Sequence, residues 1–465
     1  MHPATIRRAI AGILTVTSGL FLSPQRISST FAAPPTTPPN LVVILADDLG
    51  LADLSATGSA DLQTPAIDRL FREGARFDNF YANSCVCSPT RAALLSGCYP
   101  DRVGVPGVIR DVAADSWGNL DDEARLLPLL LRSAGYHSAL VGKWHLGYES
   151  PDTPLDRGFD FFHGFLGDMM DDYWTHLRHG HNFLRRDRQP IESAGHATDL
   201  FTDWACEYLR TRTAMQQPFF LYLAYNAPHD PLQPPPEFLE RVRQRDPACP
   251  LPRAKLSALI EHLDAGIDRV LSTLDATGLA KQTLVVFTSD NGGVLEYQAR
   301  NGPWRSGKQH LYEGGLRVPC AVRWPGQTTA GQHISAVATS MDLFPTLLAA
   351  AQAPLPEGID GVSLLELLRG QQTTLAPRDL YFVRREGGPA YGGKTIEALR
   401  RDRWKLLQDS PFAPLELYDL ERDPQETTNL AAREPAKVRE LATALRAHIQ
   451  RGGAVPWQPR RPSSP

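Results

Sequence analysis

The chain has 465 residues, of which 42% are hydrophobic and 22% are charged, proportions that exclude a disordered chain, a collagen and a coiled coil. Its 48 Lys and Arg residues against 52 Asp and Glu residues leave a net charge of −4, so we expect no nucleic-acid partner. Six cysteines are too few for a disulfide scaffold at this length. The length predicts one large domain and a smaller part.

The N-terminal segment has the features of an export signal. Arg7 and Arg8 precede a mostly apolar run, residues 9–22, that is too short to span a bilayer comfortably, and small residues end at Ala33. We therefore predict that residues 1–33 are a signal peptide. The mature protein is then exported, to the periplasm or the medium, without stable membrane association. An uncleaved membrane anchor is the alternative, and the hydroxyl side chains within the run weaken it.

Four runs of strand length are apolar without alternation, which is typical of strands buried on both faces of a parallel sheet. They are residues 40–46, 137–141, 218–225 and 284–288. Helical patterns lie between them, and one of the longest runs from 256 to 274. This alternation predicts an α/β fold with a doubly wound sheet flanked by helices.

The C-terminal part has a different pattern. A stretch rich in Pro, Gly, Gln and Thr, residues 352–377, has the composition of a linker. We therefore divide the chain into a large catalytic domain at 36–370 and a small C-terminal subdomain at 371–455. Apolar runs at 380–383 and 404–407 predict short antiparallel strands in that subdomain, and helical spacing predicts one final helix.

Each of the four apolar runs ends in polar residues. In chain order these include Asp47 and Asp48, Lys143 and His145, His229, and Asp290 and Asn291. Because ligands bind outside the C-terminal ends of the strands in such sheets, the four groups should converge on one site. The three aspartates and the asparagine supply only oxygen ligands, which suit Ca²⁺ or Mg²⁺ better than zinc. Taken singly, each group is equally typical of a turn after a strand.

Other residues could act on an anionic substrate. Arg91, Lys143 and Lys308 are cations for such a group, although each one alone would be an ordinary surface charge. His145 and His229 are candidate acid/base groups because imidazole titrates near neutral pH. Two histidines at strand ends indicate a site more strongly than one would.

A short segment around Cys87 is the most informative. Pro89 suits a first helical position and Gly97 a helix end, so Cys87 should lie at a helix N-terminus with Arg91 one turn on. Backbone N–H groups there favour developing negative charge. A thiolate at this place would be a nucleophile, as in a Cys–His hydrolase. A soft thiolate is an unusual partner for a site that binds a hard metal ion, however. The pattern therefore indicates an oxygen nucleophile at a position that the sequence gives as cysteine.

The segment Cys87-Ser88-Pro89-Thr90-Arg91, followed by Leu94-Leu95-Ser96-Gly97, resembles the signature of type I, formylglycine-dependent sulfatases, of the arylsulfatase and N-acetylgalactosamine-6-sulfatase kind. Further segments resemble that family in the same order: 142–147, 226–229, 289–292, Lys308 with 312–315, and 417–430. The resemblance therefore covers nearly all of the mature chain and implies an alkaline-phosphatase-like fold. One departure is Cys98, where the family often has a basic residue.

The resemblance also implies a cofactor and a maturation step. Cys87 would be converted to Cα-formylglycine by a formylglycine-generating enzyme. One Ca²⁺ would be bound by the residue at position 87 together with Asp47, Asp48, Asp290 and Asn291. A hydroxyl of the hydrated aldehyde would attack sulfur, and loss of the proton from the second hydroxyl would then eliminate sulfate.

The other site residues take their roles from the same resemblance. Arg91 would hold the formylglycine hydroxyls and the carboxylates that face the metal. Lys143 and His145 would lie at the diol, with His145 as the base for elimination. His229 and Lys308 would contact the sulfate, and one of the two would protonate the leaving oxygen.

The expected activity is hydrolysis of sulfate esters, with sulfated carbohydrate as the natural substrate and aryl sulfates as surrogates. Two alternatives stay open. One is a phosphatase or phosphonate hydrolase of the alkaline-phosphatase-like superfamily, and the other is an inactive glycan-binding homologue. The intact set of cations and histidines argues against the inactive homologue.

Two smaller expectations concern the cysteines and the middle of the chain. Conversion of Cys87 would leave five cysteines, which could form at most two disulfides or remain as free buried thiols. Residues 151–200 have few periodic runs but many polar and aromatic side chains. They form either an ordered surface loop or the substrate entrance, for which the candidates are Asp168, Asp171, Asp172, Tyr173, Trp174 and His176.

Overall fold

A computed structural model describes residues 38–388, 391, 393–456 and 458. The predicted signal peptide, residues 1–33, lies outside these described residues. Within them, no helix combines the length and the apolar character needed to cross a bilayer.

The α-helices are, in chain order, α1 (Pro65–Glu73), α2 (Cys87–Ser96), α3 (Leu127–Ser133), α4 (Ala197–Arg212), α5 (Pro236–Arg245), α6 (Leu251–Ala276), α7 (Glu313–Leu316), α8 (Leu343–Ala350), α9 (Leu365–Leu368) and α10 (Pro435–Gly452). The strands of the first half are β1 (Asn40–Ala46), β2 (Ala75–Phe77), β3 (Phe80–Tyr81), β4 (His137–Lys143), β5 (Phe161–Phe165), β6 (Leu177–Arg178), β7 (His181–Asn182), β8 (Leu184–Arg186) and β9 (Gln189–Pro190). Those of the second half are β10 (Phe219–Ala224), β11 (Thr283–Ser289), β12 (Cys320–Arg323), β13 (Gln332–Ile334), β14 (Ala338–Thr339), β15 (Asp379–Glu386), β16 (Lys394–Arg401), β17 (Trp404–Gln408) and β18 (Glu416–Asp419).

The main sheet has ten strands in the order β13-β2-β12-β11-β1-β10-β4-β5-β8-β9. Its centre consists of the four apolar runs predicted from the sequence, which pair as parallel neighbours β11, β1, β10 and β4. Leu41 of β1, for example, lies opposite Phe220 on one side and Leu284 on the other. The predicted doubly wound sheet is confirmed.

Both faces of this sheet are covered, which is why its central strands are apolar at every position. Leu41, Val43 and Leu45 point into a core that includes residues of α2, α3, α8 and α9. Val42 and Ile44 point into the opposite core, which is formed with α1, α4 and α6. Because β1 packs against a core on each of its two faces, its position is fixed, and so is the position of the residues that follow it.

The C-terminal sheet is antiparallel, in the order β15-β16-β17-β18. One of its faces packs on α10, where Val383 and Leu406 share a core cluster with Leu441 and Leu445. The predicted strands at 380–383 and 404–407 and the predicted final helix are all present in this subdomain.

The linker prediction for residues 352–377 is wrong. Leu364, Leu367 and Leu368 are buried in the core of the large domain, and α9 lies within the segment. The amide of Val362 also donates to Asp342 Oδ1 over 2.9 Å. Pro and Gly in this stretch mark turns, while the leucines between them pack like any other core residues.

Residues 151–200 contain strands as well as loops, since β5, β8 and β9 extend one edge of the main sheet. All six cysteines lie among the described residues, and all six are free thiols.

Candidate active site

The residues that follow β1 and β11 meet at the C-terminal edge of the sheet. The amide of Asp48 donates to Asp290 Oδ1 over 3.2 Å, and Asn291 Nδ2 donates to Asp48 Oδ1 over 2.7 Å. Neighbouring parallel strands end at the same edge, so side chains about 240 positions apart in sequence come into contact. Asp47, Asp48, Asp290 and Asn291 are all buried. The predicted convergence is therefore present.

Helix α2 brings position 87 to the same edge. It begins at Cys87 and ends at Ser96, and the next residue, Gly97, has a φ of 70°, the left-handed conformation that glycine adopts readily. The thiol of Cys87 lies 3.4 Å from Asp47 Oδ1. One turn further on, Arg91 donates to Asp290 Oδ2 through Nε (3.0 Å) and NH2 (2.7 Å). The helix thus carries a sulfur and a guanidinium into one acidic cluster.

Two lysines neutralise the other carboxylates. Lys143 Nζ donates to Asp47 Oδ2 over 2.5 Å, and Lys308 Nζ donates to Asp48 Oδ2 over 2.6 Å. The chain that follows Lys308 comes close to the end of β11, and glycine at position 292 makes this approach possible. A Cβ there would lie only 2.0 Å from the carbonyl oxygen of Gly314. Three carboxylates therefore face three cations in a buried space, which is a balanced arrangement for holding a further anion and a metal ion.

His229 contacts one of these two lysines. Its Nε2 is 2.9 Å from Lys308 Nζ and 3.5 Å from Asp48 Oδ2, while its Nδ1 contacts the carbonyl oxygen of Asp230 at 2.8 Å. Tyr173 OH donates to the carbonyl oxygens of Asn226 (2.8 Å) and His229 (2.9 Å). Tyr173, a candidate for the substrate entrance, is buried and holds this histidine instead.

His145 is held by a backbone carbonyl. Its Nε2 lies 2.9 Å from the carbonyl oxygen of Ile109, and the amide of Ile109 donates to Ser88 Oγ over 3.1 Å. A carbonyl only accepts, so Nε2 carries the proton and Nδ1 is left as an acceptor. Among the described residues, buried Nδ1 has no hydrogen-bond partner. Ile109 and Ser88 carried no sequence signal for this role beyond the position of Ser88 next to Cys87.

Burial and charge act in opposite directions on the titrating groups here. Burial raises the pKa of Asp47, but Lys143, His229 and Arg91 outweigh it, so that this pKa lies below the ordinary value. Burial and the charge of Asp47 raise the pKa of Asp290.

The thiol and the imidazole are both held in their neutral forms. Burial raises the pKa of Cys87 well above the usual value for a thiol, although Lys308 and Lys143 oppose it. Burial, together with Lys143 and Arg91, lowers the pKa of His145 well below its usual value. Cys87 is thus protonated at neutral pH, which makes the unmodified thiol a poor nucleophile. His145 is uncharged and able to accept a proton.

The donor set fits a hard divalent cation. Oxygens of Asp47 and Asp48, the sulfur of Cys87 and a ring nitrogen of His229 all lie within 4.8 Å of one another. The side-chain oxygen of Asn291 is buried and, within the described residues, has no hydrogen-bond partner. Burying a side-chain oxygen that has no hydrogen-bond donor costs folding free energy, unless a cation contacts that oxygen. An oxygen atom at position 87 would complete a set that suits Ca²⁺.

The remaining entrance candidates contact residues outside this cluster. Asp168 and Asp171 both pair with Arg178, in each case at 2.9 Å, and Trp174 is 45% exposed. His176 is buried and contacts the carbonyl oxygen of Gly195 at 2.9 Å, so it has a structural role. Asp172 accepts from the amides of residues 174 and 175 and shapes a turn.

Comparisons with known proteins identify a family. The family model "Sulfatase" matches residues 39–353, and the model "N-sulphoglucosamine sulphohydrolase, C-terminal" matches residues 304–452. N-acetylgalactosamine-6-sulfatase of Mus musculus is 34% identical over 79% of this chain and 71% of its own length. Arylsulfatase A of Homo sapiens is 32% identical over 88% of this chain and 86% of its own length.

A solved structure shares the fold. Ps i-CgsB in complex with k-i-k-neocarrahexaose superposes with a TM-score of 0.81 and 28% identity, covering 90% of this chain and 94% of that one. The alkaline-phosphatase-like fold, with its mixed central sheet and small C-terminal antiparallel sheet, is thereby confirmed. This chain belongs to the sulfatase family.

Proposed function

We propose that this protein hydrolyses sulfate esters of carbohydrates and releases inorganic sulfate, with a Cα-formylglycine made from Cys87 and one Ca²⁺. The observation that carries the proposal is the place of Cys87: it begins a helix, faces Asp47 over 3.4 Å and is surrounded by three buried carboxylates and three cations. A phosphatase of the same superfamily is the alternative, and matched aryl sulfate and aryl phosphate substrates distinguish the two.

Asp47, Asp48, Asp290 and Asn291 would hold the calcium ion, together with an oxygen at position 87. When bound, the ion supplies positive charge that stabilises the sulfate oxygens and the nucleophilic oxygen. Arg91 keeps Asp290 in place through two hydrogen bonds and so fixes one side of this ligand set.

The side chains of the protein bind the ester and move its protons. Lys143 and Lys308 donate to sulfate oxygens in addition to the carboxylates they already contact. Lys308 Nζ donates to His229 Nε2 over 2.9 Å, because Nδ1 of that ring faces the carbonyl oxygen of Asp230 and carries the ring proton. Either Lys308 directly, or His229 after it has taken that proton at Nε2, can protonate the leaving oxygen. His145 accepts a proton at Nδ1, because its Nε2 is held by the carbonyl oxygen of Ile109.

Two observations support a carbohydrate as the substrate. Ps i-CgsB, with 28% identity, was solved with a neocarrahexaose, and relatives such as the Mus musculus protein are named N-acetylgalactosamine-6-sulfatase. The site lies at the C-terminal edge of the main sheet, and Tyr173, whose hydroxyl holds the loop of His229, connects it to the polar and aromatic segment that contains the half-exposed Trp174.

We also propose that the protein is exported and that residues 1–33 are removed. Arg7 and Arg8 followed by an apolar run support this proposal. N-terminal sequencing of protein recovered from the medium or the periplasm tests it. A first residue upstream of position 30 would contradict it.

The functional test combines chemistry at position 87 with turnover. The protein is produced in a host that has the maturation enzyme, and peptide mass spectrometry measures the conversion of Cys87. Sulfate release is then measured on an aryl sulfate and on a panel of sulfated saccharides, with Cys87→Ala as the control. Unmodified cysteine without sulfate release in that host contradicts the proposal. Faster turnover of the matched aryl phosphate would assign a phosphatase instead.

A further inference from the structure

The C-terminal sheet contributes a buried carboxylate that carried no signal in the sequence. Glu386 is the last residue of β15 and lies opposite Lys394 in β16. Its side chain has 0% exposure, although the residue stands at the end of its strand. A carboxylate that is removed from water at such a position needs donors around it.

Both oxygens of Glu386 have such donors. Oε1 accepts from the amide of Val108 over 3.1 Å and from Arg110 NH2 over 3.0 Å. Oε2 accepts from Arg384 Nε over 2.7 Å and also from Arg384 NH2. Hydrogen bonds between ionised partners are about twice as strong as neutral ones, so this carboxylate is a rigid junction.

One arm of this junction leads to His145. Val108 precedes Ile109, whose carbonyl oxygen faces His145 Nε2 at 2.9 Å. The amide of Ile109 is held by Ser88 Oγ at 3.1 Å. Glu386 and Ser88 thus hold two successive amides and set the position of the carbonyl that selects the tautomer of His145.

The other arm leads to Lys308. Arg384 NH1 donates to the carbonyl oxygen of Gln309 over 3.0 Å, directly after Lys308. The amide of Gln309 donates to the carbonyl oxygen of Cys85 over 2.9 Å. The segment that carries Lys308 is therefore held between the C-terminal sheet and the residues just before Cys87.

We propose that Glu386 is a positioning residue for the sulfatase reaction: one carboxylate of the C-terminal sheet fixes both the carbonyl that orients His145 and the segment that presents Lys308. The inference rests on the proposed function, and it goes beyond it by giving the small sheet a part in the site. Small displacements of positioned groups cost catalysis heavily, so loss of this junction should reduce turnover without abolishing folding.

The first test measures the junction itself, independently of turnover. Glu386→Gln keeps the shape but replaces an acceptor by a donor that faces an amide or a guanidinium. Amide hydrogen exchange should become about tenfold faster in both 106–111 and 308–310. Glu397→Gln is the matched control, because Glu397 accepts from Arg385 Nε (3.3 Å) within the same sheet. Unchanged protection in either segment of Glu386→Gln would overturn the inference.

The second test measures turnover in the matured enzyme. We expect kcat/KM of Glu386→Gln to fall about 10- to 100-fold at equal formylglycine content, with Glu397→Gln within about twofold of the wild type. Glu386→Asp, which keeps the charge, should recover part of the loss. Equal rates for the Glu386→Gln and Glu397→Gln variants would overturn the inference. An inactive wild type would instead contradict the proposed function. The hydrogen-exchange test of the inference would still stand, because it does not require activity.

A third variant covers the case in which Glu386→Gln does not fold. Arg110→Met removes one donor from Glu386 and leaves Arg384 in place. Exchange should then become faster in 106–111 but not in 308–310. If exchange became equally faster in both segments, Glu386 would not hold the two segments through separate sets of hydrogen bonds.

Discussion

Arg91 donates two hydrogen bonds to a single oxygen of Asp290, from Nε at 3.0 Å and from NH2 at 2.7 Å, and both side chains have 0% exposure. The other oxygen, Oδ1, accepts from the amide of Asp48. Burial and Asp47 raise the pKa of Asp290, and the Arg91 guanidinium opposes that rise by favouring the ionised carboxylate. The pair therefore favours the negative charge that a divalent ion needs.

Replacing Arg91 by lysine should disable the site even though the charge is kept. An ammonium cannot donate from two fixed positions to one carboxylate oxygen, and it is a shorter-reaching point charge. We expect kcat/KM for sulfate release to fall by at least about 100-fold. Steady-state kinetics at measured formylglycine content tests this. A variant with near-wild-type rates would show that the two-donor geometry is unimportant.

Removing calcium should lower both activity and thermal stability. Without the ion, Asn291 Oδ1 and the oxygens of Asp47 and Asp48 lose the cation proposed to face them. Dialysis against a chelator should lower Tm by several degrees and stop turnover, and Ca²⁺ should restore both. Mg²⁺ should restore less, because it demands a stricter six-oxygen geometry. A Tm that does not respond to chelator would contradict the calcium site.

Lys405 should be essential for stability. It is completely buried, with Nζ 2.9 Å from Glu313 Oε1 and 2.7 Å from Glu426 Oε1. Lys405→Met leaves two buried carboxylates without their cation, and it should cost about 3–5 kcal/mol of unfolding free energy. Burial already raises the pKa of Glu426 to about 7, despite the charge of Lys405.

The double variant Lys405→Met/Glu426→Gln should recover part of that loss, since one of the two carboxylates is gone. Denaturant unfolding of Lys405→Met, Glu426→Gln and the double variant measures the coupling between the two charges. If the double variant were as unstable as the sum of its single variants, the two charges would not be coupled.

The stability of the folded state should decline in acid partly through His196. Burial, with the nearby His262, lowers its pKa from 6.5 to about 4. The folded state therefore binds fewer protons than the unfolded state between these values. The contribution of His196 is fully present above pH 6.5 and is lost as the pH falls towards 4.

The variant His196→Asn tests this contribution. The imidazole accepts from the amide of Thr198 at the start of α4, and asparagine is a good residue for that position. Between about pH 7.5 and about pH 5, wild type should lose up to about 2 kcal/mol more than the variant. Equal losses, measured by denaturant unfolding at the two pH values, would exclude His196 as a source of acid sensitivity.

The residues at strand ends were predictable from the sequence, because their position follows from two simple rules. Apolar runs without alternation are strands buried on both faces, and the polar residues after parallel strands share one edge. Asp47, Asp290 and Lys143 could therefore be assigned to one site from the sequence alone. Cys87 and Arg91 followed from helix signals at Pro89 and Gly97.

Other contacts could not be predicted, since they depend on tertiary packing. The carbonyl of Ile109 carries no side-chain signal, and Glu386 looks like an ordinary polar residue at the end of a strand. Composition makes Tyr173 a candidate either for the substrate entrance or for a surface loop, and neither interpretation predicts that its hydroxyl holds the loop of His229. The Pro and Gly residues of 352–377 give this stretch the composition of a linker, although the leucines between them pack in the core.

The junction at Glu386 has a consequence for the order of events during synthesis. Residues 379–419 leave the ribosome almost three hundred positions after Cys87, so the wall of the site that they form is absent while the earlier part of the chain is being made. In the finished fold Cys87 is only 3% exposed. If Cys87 is converted as proposed, the oxidising enzyme would reach this thiol in the nascent or unfolded chain, and a host in which the protein folds faster than it is oxidised would accumulate an unconverted form.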